Sequence, residues 1–368
     1  MTINTPRPDR YSPLPAQPER SLARRVLVIG GAGYIGGAVG PHLLEKGFGV
    51  RDLDLLVYGH DTGILPKLQN PGYSFIFGDM GDPATLAEAL DGATDVVILA
   101  GLVGDPITRS YPEAARTIND EALKRCIDML NGRGLDRVIF VSTCSNYGMI
   151  GEDETADETF ALNPLSLYAE AKVRCEQHLL SLRGAVDYKP VVLRFATAFG
   201  LAPRMRFDLT VNEFTRDLFL DKALEVYDAH TWRPYCHVRD FARLIETVLL
   251  APAESVAFDV FNAGSNANNY TKQGLVDLIQ DFLPGRTIAY RENSSDPRNY
   301  RVNFSKLNTV LGFECRTSVR DGVQEILWAL QNRLLDGVDA RRTFHGNYEL
   351  ARVTARAAEE SEPCPTIA

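Results

Sequence analysis

The stretch Arg25-Val26-Leu27-Val28-Ile29-Gly30-Gly31-Ala32-Gly33-Tyr34-Ile35-Gly36 decides how the fold is read. The aliphatic, β-branched run Val26 to Ile29 suits a strand buried on both faces, and glycines follow it without a spacer. An amphipathic segment then runs from Ile35 to Lys46. Glycines between a strand and a helix permit a tight turn and close backbone approach, so a pyrophosphate can rest on the unpaired N–H groups at the helix N-terminus. The spacing therefore predicts a dinucleotide site holding Gly30, Gly33, Tyr34, Ile35 and Gly36. An acidic residue at the end of the second strand, about 20 residues on, can accept the ribose hydroxyls. Asp54 and Asp52 compete for that role, because strand alternation lets only one face the cofactor; Asp54 is preferred for its place at the strand end. A carboxylate there repels a 2′-phosphate, which favours NAD over NADP.

Outward from this stretch, short β-branched runs alternate with helix-length amphipathic segments, the pattern of a parallel sheet wrapped by helices. Strands are expected at Val26 to Ile29, Gly49 to Leu53, Ser74 to Phe77, Val96 to Leu99, Val138 to Ser142 and Val191 to Phe195, with a later one near Phe258 to Asn262. Helices are expected at Ile35 to Lys46, Pro83 to Leu90, Glu113 to Leu130 and Leu167 to Leu182, then near Val238 to Leu250, Lys272 to Phe282 and Val319 to Leu335. The fold class is α/β: a doubly wound parallel sheet of the Rossmann type with a smaller carboxyl-terminal α/β substrate lobe. Residues 1–24 read as a flexible amino-terminal arm, 25–200 as the NAD-binding domain with returning segments near 235–264, 201–338 as the substrate lobe and 339–368 as a tail.

Composition narrows the classes. The 368 residues carry 39 Lys+Arg against 48 Asp+Glu, a formal charge of −9, and no basic run overrides that sign, so nucleic acid and anionic membrane surfaces are not expected partners. Apolar stretches are strand-sized, well short of the roughly 20 residues of a membrane span. The proline-containing amino terminus lacks a signal-peptide core, and a cytoplasmic protein is expected. Six cysteines (Cys126, Cys144, Cys175, Cys236, Cys315 and Cys364) are widely spaced without C-x-x-C, as reduced, mostly buried thiols would be. No His, Asp or Glu cluster has metal-ligand spacing, so no metal is expected.

A second constellation is Tyr168-Ala169-Glu170-Ala171-Lys172, whose i,i+4 spacing puts phenol and ammonium on one helical face. A nearby cation favours phenolate and would draw the phenol from about pH 10 toward the working range, as a general base for an alcohol requires. Ser142-Thr143-Cys144-Ser145-Asn146-Tyr147-Gly148 lies at the carboxyl end of an expected parallel strand, where open α/β sheets bind their ligands, and a hydroxyl there can hold the reacting oxygen.

Together with Gly78-Asp79, Leu99-Ala100-Gly101, Asn119, Pro164, Leu193-Arg194-Phe195 and Trp232-Arg233-Pro234-Tyr235-Cys236-His237-Val238, these segments resemble the extended short-chain dehydrogenase/reductase family, in its NAD-dependent nucleotide-sugar epimerase/dehydratase group. The resemblance runs from about Val26 to about Gly337. It implies NAD as cofactor, with Asp79 on the adenine amine and Met80 beside it. Ala100 and Gly101 would line the diphosphate-ribose region, Asn119 would sit among the cofactor residues, and Lys172 would grip the nicotinamide ribose. Thr143 and Tyr168 take the catalytic positions. It implies a nucleotide-linked sugar as substrate, contacted by Thr143, Cys144, Ser145, Thr197, Arg204, Asn212, Arg233, Arg298 and Arg301, the arginines suiting phosphate oxygens. Cys144 is either a wall residue or a substrate contact, and His237 a packed structural histidine. Sugar 4,6-dehydratases place Asp-Glu after the catalytic Thr; here Cys144-Ser145 stand there, which argues against dehydration by that route. Thr197 replaces an Asn common in the group. The expected reaction is epimerisation through a 4-keto sugar, with a 4-dehydrogenase or 4-ketoreductase, a uronate decarboxylase or an NAD-sensing scaffold as alternatives. A homodimer joined through Glu113 to Leu130 and Leu167 to Leu182 is also implied.

Overall fold

The computed structural model describes residues 24–59, 62–292, 296–338 and 344–350. Nearly all of the expected amino-terminal arm, most of the expected tail, and Cys364 lie outside the described residues.

Seven parallel strands form the main sheet in the order β3-β2-β1-β4-β5-β6-β10. They are β1 (Arg25–Ile29), β2 (Gly49–Asp54), β3 (Tyr73–Phe77), β4 (Asp95–Ile98), β5 (Arg137–Thr143), β6 (Lys189–Phe195) and β10 (Asp259–Ala263). The numbering skips β7 (Thr197–Phe199), β8 (Leu224–Tyr227) and β9 (Trp232–His237), which lie outside this sheet, as do β11 (Asn269–Thr271) and β12 (Ile288–Arg291). Strand order reverses between β1 and β4, and a crevice opens at the carboxyl ends of strands at such a switch point.

Alternation along each strand feeds two cores. Val26 and Val28 of β1, with Val50, Val97, Ile139, Val191 and Leu193, pack under the helices Gly36–Glu45 and Val238–Leu250. Leu27 and Ile29, with Leu53, Val96, Ile98, Phe140 and Val192, pack under Pro83–Leu90, Leu123–Asp128 and Leu167–Ser181. Burial on both faces is why these strands are nearly continuous in aliphatic residues. A third core, built on Phe199, Val211, Phe214, Tyr235, Leu275, Ile279, Val319 and Val323, holds the helices Thr210–Phe219, Lys272–Gln280 and Val319–Gln331 together. Beside it stand the mixed sheet β11-β9-β7 and the parallel pair β12-β8.

Two segments differ from the sequence expectation. The single helix expected from Glu113 to Leu130 is interrupted: Pro112–Arg116 passes into a π-helical turn, Thr117–Ala122, before Leu123–Asp128. Widened turns of this kind re-aim a side chain, and here the buried Asn119 is turned onto the loop after β4, its amide bonding both the N–H and the C=O of Leu102 at 2.7 and 2.9 Å. Residues 344–350, which composition placed in a tail, pack against the body: the Phe207 N–H donates to the His345 carbonyl at 2.8 Å, and His345 and Asn347 are buried. Cys126, Cys144, Cys175 and Cys236 are buried free thiols and Cys315 is half-buried. Among the described residues no helix is long and apolar enough to cross a membrane, and no group of three His, Cys, Asp or Glu could hold a metal ion.

Candidate active site

A cavity of about 390 Å³ opens at the carboxyl ends of β1, β2, β4 and β5 and extends to the arginine-rich segments beyond β9. Its first half is built largely from backbone. Gly30 has φ +87°, and a Cβ there would lie 2.7 Å from the Ala100 nitrogen, so only glycine lets this loop cross the end of β4. Gly30, Gly33, Tyr34, Ile35 and Gly36 all line the cavity, as do Asp79, Met80, Ala100 and Gly101.

Asp54 lines it too, accepting hydrogen bonds from the Ala32 N–H at 3.1 Å and the Leu56 N–H at 2.8 Å. Burial pushes its carboxyl up to about 6, against the pull of those two bonds. Asp52 points to the other side, fully buried, paired with Lys67 and accepting from the Tyr73 hydroxyl at 2.8 Å. Asn119 does not reach the cavity; it holds the loop that does. Tyr34 ties the glycine turn to the later chain, its hydroxyl donating to the Gly200 carbonyl at 2.6 Å and accepting from Asn212 Nδ2 at 3.0 Å.

Thr143, Ser145, Tyr168 and Lys172 face the middle of the cavity. Thr143 ends β5, and its Oγ1 lies 2.9 Å from Ser145 Oγ and accepts from the Ser145 N–H at 3.1 Å. Tyr168 enters on the first turn of the helix Leu167–Ser181, whose N-cap Ser166 accepts from the Ala169 N–H at 3.3 Å. Lys172 follows one turn later, its Nζ 6.0 Å from the Tyr168 ring centroid and donating to the Val141 carbonyl at 2.9 Å. Sequence spacing predicts that this ammonium draws the phenol's pKa down, and the structure shows the opposite direction. Burial pushes Tyr168 well above its ordinary value, and the cations opposing that push are Arg206 and Arg298. Burial also lowers Lys172 to about 8. Desolvation outweighs the pairing because both groups sit in the same dry wall.

The second half of the cavity is made of long charged side chains. Thr197, Arg233 and Arg298 line it, together with residues that motif reading does not single out as contacts: Asp105, Arg206, Lys272 and Asp296. Arg233 donates to Asp296 at 3.0 Å and lies over the Tyr300 ring, 5.3 Å from its centroid. Arg298 grips Asp296 through two bonds of 2.7 and 2.8 Å and pairs with Asp105 at 2.8 Å.

Four further expectations are corrected. Cys144 is buried in the core below β5, its Sγ donating to the Arg194 carbonyl at 3.1 Å; the chain leaves β5 after Thr143, and the tight turn Cys144–Tyr147 puts Cys144 inside while Thr143 and Ser145 line the cavity. Asn212 is consumed by Gly200, Tyr34 and Arg206 backbone and does not reach the cavity. Arg301 lies outside it, its guanidinium 5.2 Å over Trp232. Arg204 sits at the cofactor end rather than the sugar end. It lies 4.4 Å over the Tyr58 ring and donates to Phe344 and Gly346 carbonyls, both at 3.2 Å, and to Asn347 Oδ1 at 2.8 Å. His237, at the end of β9, caps the helix Val238–Leu250 by accepting from the Arg239 N–H at 3.1 Å, and its other nitrogen lies 2.6 Å from Glu325.

A glycine turn before a helix at a switch point, an acid at the end of β2, and Thr, Tyr and Lys grouped at the end of β5 define a nicotinamide-dependent oxidoreductase on a doubly wound sheet. Residues 26–264 match the NAD dependent epimerase/dehydratase family. The chain belongs to that family and is an NAD-dependent enzyme of the extended short-chain dehydrogenase/reductase group.

Among curated relatives, the chain is 27% identical over 323 residues to dTDP-glucose 4,6-dehydratase of Streptomyces niveus, covering 84% of this chain and 94% of that one. It is 26% identical over 326 residues to UDP-glucose 4-epimerase of Lactobacillus helveticus, covering 83% and 96%. The solved UDP-glucose 4-epimerase of Thermotoga maritima, with UDP-glucose, shares the fold with a TM-score of 0.76 at 24% identity, covering 84% of this chain and 99% of that one.

The residues present fit NAD. Gly30 and Gly36 let the turn pack against Ala100 and Gly31, where a Cβ would clash, at the start of the helix that borders the cavity, and Asp54 offers a desolvated acceptor that ribose hydroxyls would satisfy.

Proposed function

We propose that the protein is a nucleotide-sugar 4-epimerase working through a 4-keto intermediate. The observation that carries this reading is the composition of the wall at the end of β5. Thr143, Tyr168 and Lys172 face one cavity with Ser145, while Cys144 is turned into the core, so this wall presents hydroxyls, a phenol and an ammonium but no carboxylate. That set suits removal and return of a carbinol proton and lacks the acid–base pair that would expel water from the neighbouring carbon.

NAD, which Gly30, Gly33, Gly36 and Asp54 would hold, would supply the hydride acceptor and donor for C4. Thr143 Oγ1 holds the C4 oxygen. Tyr168, as phenolate, takes the hydroxyl proton and gives it back to the ketone oxygen on re-reduction. Lys172 would hold the ribose beside it, and the positive charges of Arg206 and Arg298 oppose the burial of Tyr168 and so favour the phenolate. Inversion follows when the keto sugar presents its other face before the hydride returns. Arg233 and Arg298 are placed to meet the nucleotide diphosphate.

Retention of the cofactor is supported by residues 344–350, whose Asn347 and Tyr348 line the cavity and whose Asn347 bridges Arg204 and the Val103 carbonyl. The test is mass spectrometry of products from a panel of nucleotide sugars beside the absorbance of reduced nicotinamide. A converted sugar of unchanged mass with no NADH accumulation is expected. Loss of two hydrogens with stoichiometric NADH would replace epimerisation by net 4-dehydrogenation, and loss of water would overturn the reading of the β5 wall.

A further inference from the structure

The charged groups around Tyr168 come from four separate segments, and they are nearly all spent on one another. Arg206 holds Asp208 through two bonds, one of 3.0 Å from Nε, with both side chains mostly buried. Arg298 holds Asp296 through two bonds and Asp105 through a third contact of 2.8 Å. Arg233 spends one nitrogen on Asp296 and the other on the carbonyls of Trp232 and Arg298, at 2.8 and 2.6 Å. Three guanidinium groups thus face three carboxylates, and the two lysines of the cavity, Lys172 and Lys272, donate to the carbonyls of Val141 and Tyr227. Among the described residues each of these three guanidinium groups already has a carboxylate partner, so a diphosphate competes for Arg233 and Arg298, and a sugar carboxylate would have to compete with it in turn.

Asp105 differs from its neighbours. It opens the short helix Asp105–Ser110, lines the cavity, and is close enough to Tyr168 to act on the phenol electrostatically. One of its oxygens is bound by Arg298; the other, Oδ1, is buried and has no hydrogen-bond partner among the described residues. A buried acceptor left unpaired is costly, and what satisfies it is a donor. A sugar hydroxyl is a donor, whereas a sugar carboxylate is a second negative charge brought against the first.

We propose, resting on the nucleotide-sugar reading above, that the sugar held beside Tyr168 is an uncharged hexose, selected over the corresponding uronic acid by a hydroxyl bond to Asp105. Arg298 positions this carboxylate, and Asp208 neutralises Arg206, whose Nη2 reaches the Val103 carbonyl of the same loop. The same arrangement disfavours uronate decarboxylation at this site.

The test is calorimetric titration of the NAD-loaded full chain with matched pairs: UDP-glucose and UDP-glucuronate, UDP-galactose and UDP-galacturonate, GDP-mannose and GDP-mannuronate. In any pair that binds, the neutral member is expected to bind at least about tenfold more tightly, as one adverse charge contact at a partly buried site produces. Asp105→Asn, which keeps the volume and removes the charge, should shrink that ratio mainly by strengthening the uronate, with the melting temperature within a few degrees of the parent. A uronate bound as tightly as its hexose, or a ratio unchanged in a folded Asp105→Asn protein, overturns the assignment while leaving the nucleotide-sugar reading intact. Failure of every pair to bind overturns both.

Discussion

The two halves of the cavity are built on different principles. The cofactor half depends on backbone: glycines at a strand-to-helix turn, a carboxylate fixed by two N–H groups, and Asn119 holding the Leu102 peptide. The substrate half depends on long side chains brought together from segments as far apart as Asp105, Arg206, Arg233 and Arg298. Backbone cradles tolerate little change at a position and have fixed spacing in the chain; charged pairs can be rebuilt from many positions. Substitutions should therefore separate the halves cleanly, with cofactor affinity and sugar affinity failing independently.

Removing the group on the boundary has the largest expected effect. Tyr168→Phe should lower turnover by about 10²–10⁴-fold, the range for loss of a positioned general acid–base, while NAD content after purification stays that of the parent. Loss of bound NAD together with activity would mean that Tyr168 holds the cofactor half together, and the separation would fail. Next comes the sugar half alone. Arg233→Ala removes charge-assisted bonds worth about 1.5–3 kcal/mol each, about 10- to 150-fold in affinity. Nucleotide-sugar binding should weaken by that order with NAD affinity unchanged.

The third effect is smaller and belongs to the cofactor half. Asp54 has its carboxyl raised to about 6 by burial. Ribose hydroxyls donate to the ionised form, so the complex holds this pKa lower than the free protein does and binding below pH 6 expels a proton. NAD affinity should then fall as pH drops through about 6, by up to about tenfold per unit, and fluorescence titration from pH 5 to 8 reads it directly. Asp54→Asn should bind more weakly at pH 8 and lose most of this slope. A parent protein with no slope would remove Asp54 from the ribose.

This contrast also explains what could be read from the sequence. The strands β1 to β6 and the Gly30 to Gly36 turn are legible because burial on both faces and the turn each impose a local residue pattern. Thr143, Tyr168 and Lys172 are legible because one strand end and one helical turn space them. Position in a motif points Cys144 and Asn212 at the substrate, yet the tight turn after β5 buries one in the core and the Gly200–Tyr34 contact consumes the other. Asp105, Lys272 and Asp296 carry no local signature, since their roles arise only when the segments after β4, β11 and β12 converge. The upward shift of Tyr168 was likewise beyond sequence spacing, because spacing gives the distance to Lys172 but not the depth of burial.

The smallest expected effect tests a contact that composition hid altogether. Asn347 accepts from Arg204 at 2.8 Å and donates to the Val103 carbonyl at 2.9 Å, so it joins the loop after β4 to the segment after β7 across the cofactor end. Arg204 in turn lies over Tyr58, beside Asp54. Asn347→Ala removes both bonds and leaves Arg204 its two carbonyl acceptors, Phe344 and Gly346. Loosening this buried seam is expected to weaken retention by about 1 kcal/mol, the net worth of one typical hydrogen bond, so NAD should leave about three- to tenfold faster, while the association rate and sugar affinity stay close to the parent values. Stopped-flow displacement of NAD measures this. An unchanged release rate would mean that residues 344–350 brace the wall without retaining the cofactor, and retention would then rest on the glycine turn and Asp54 alone.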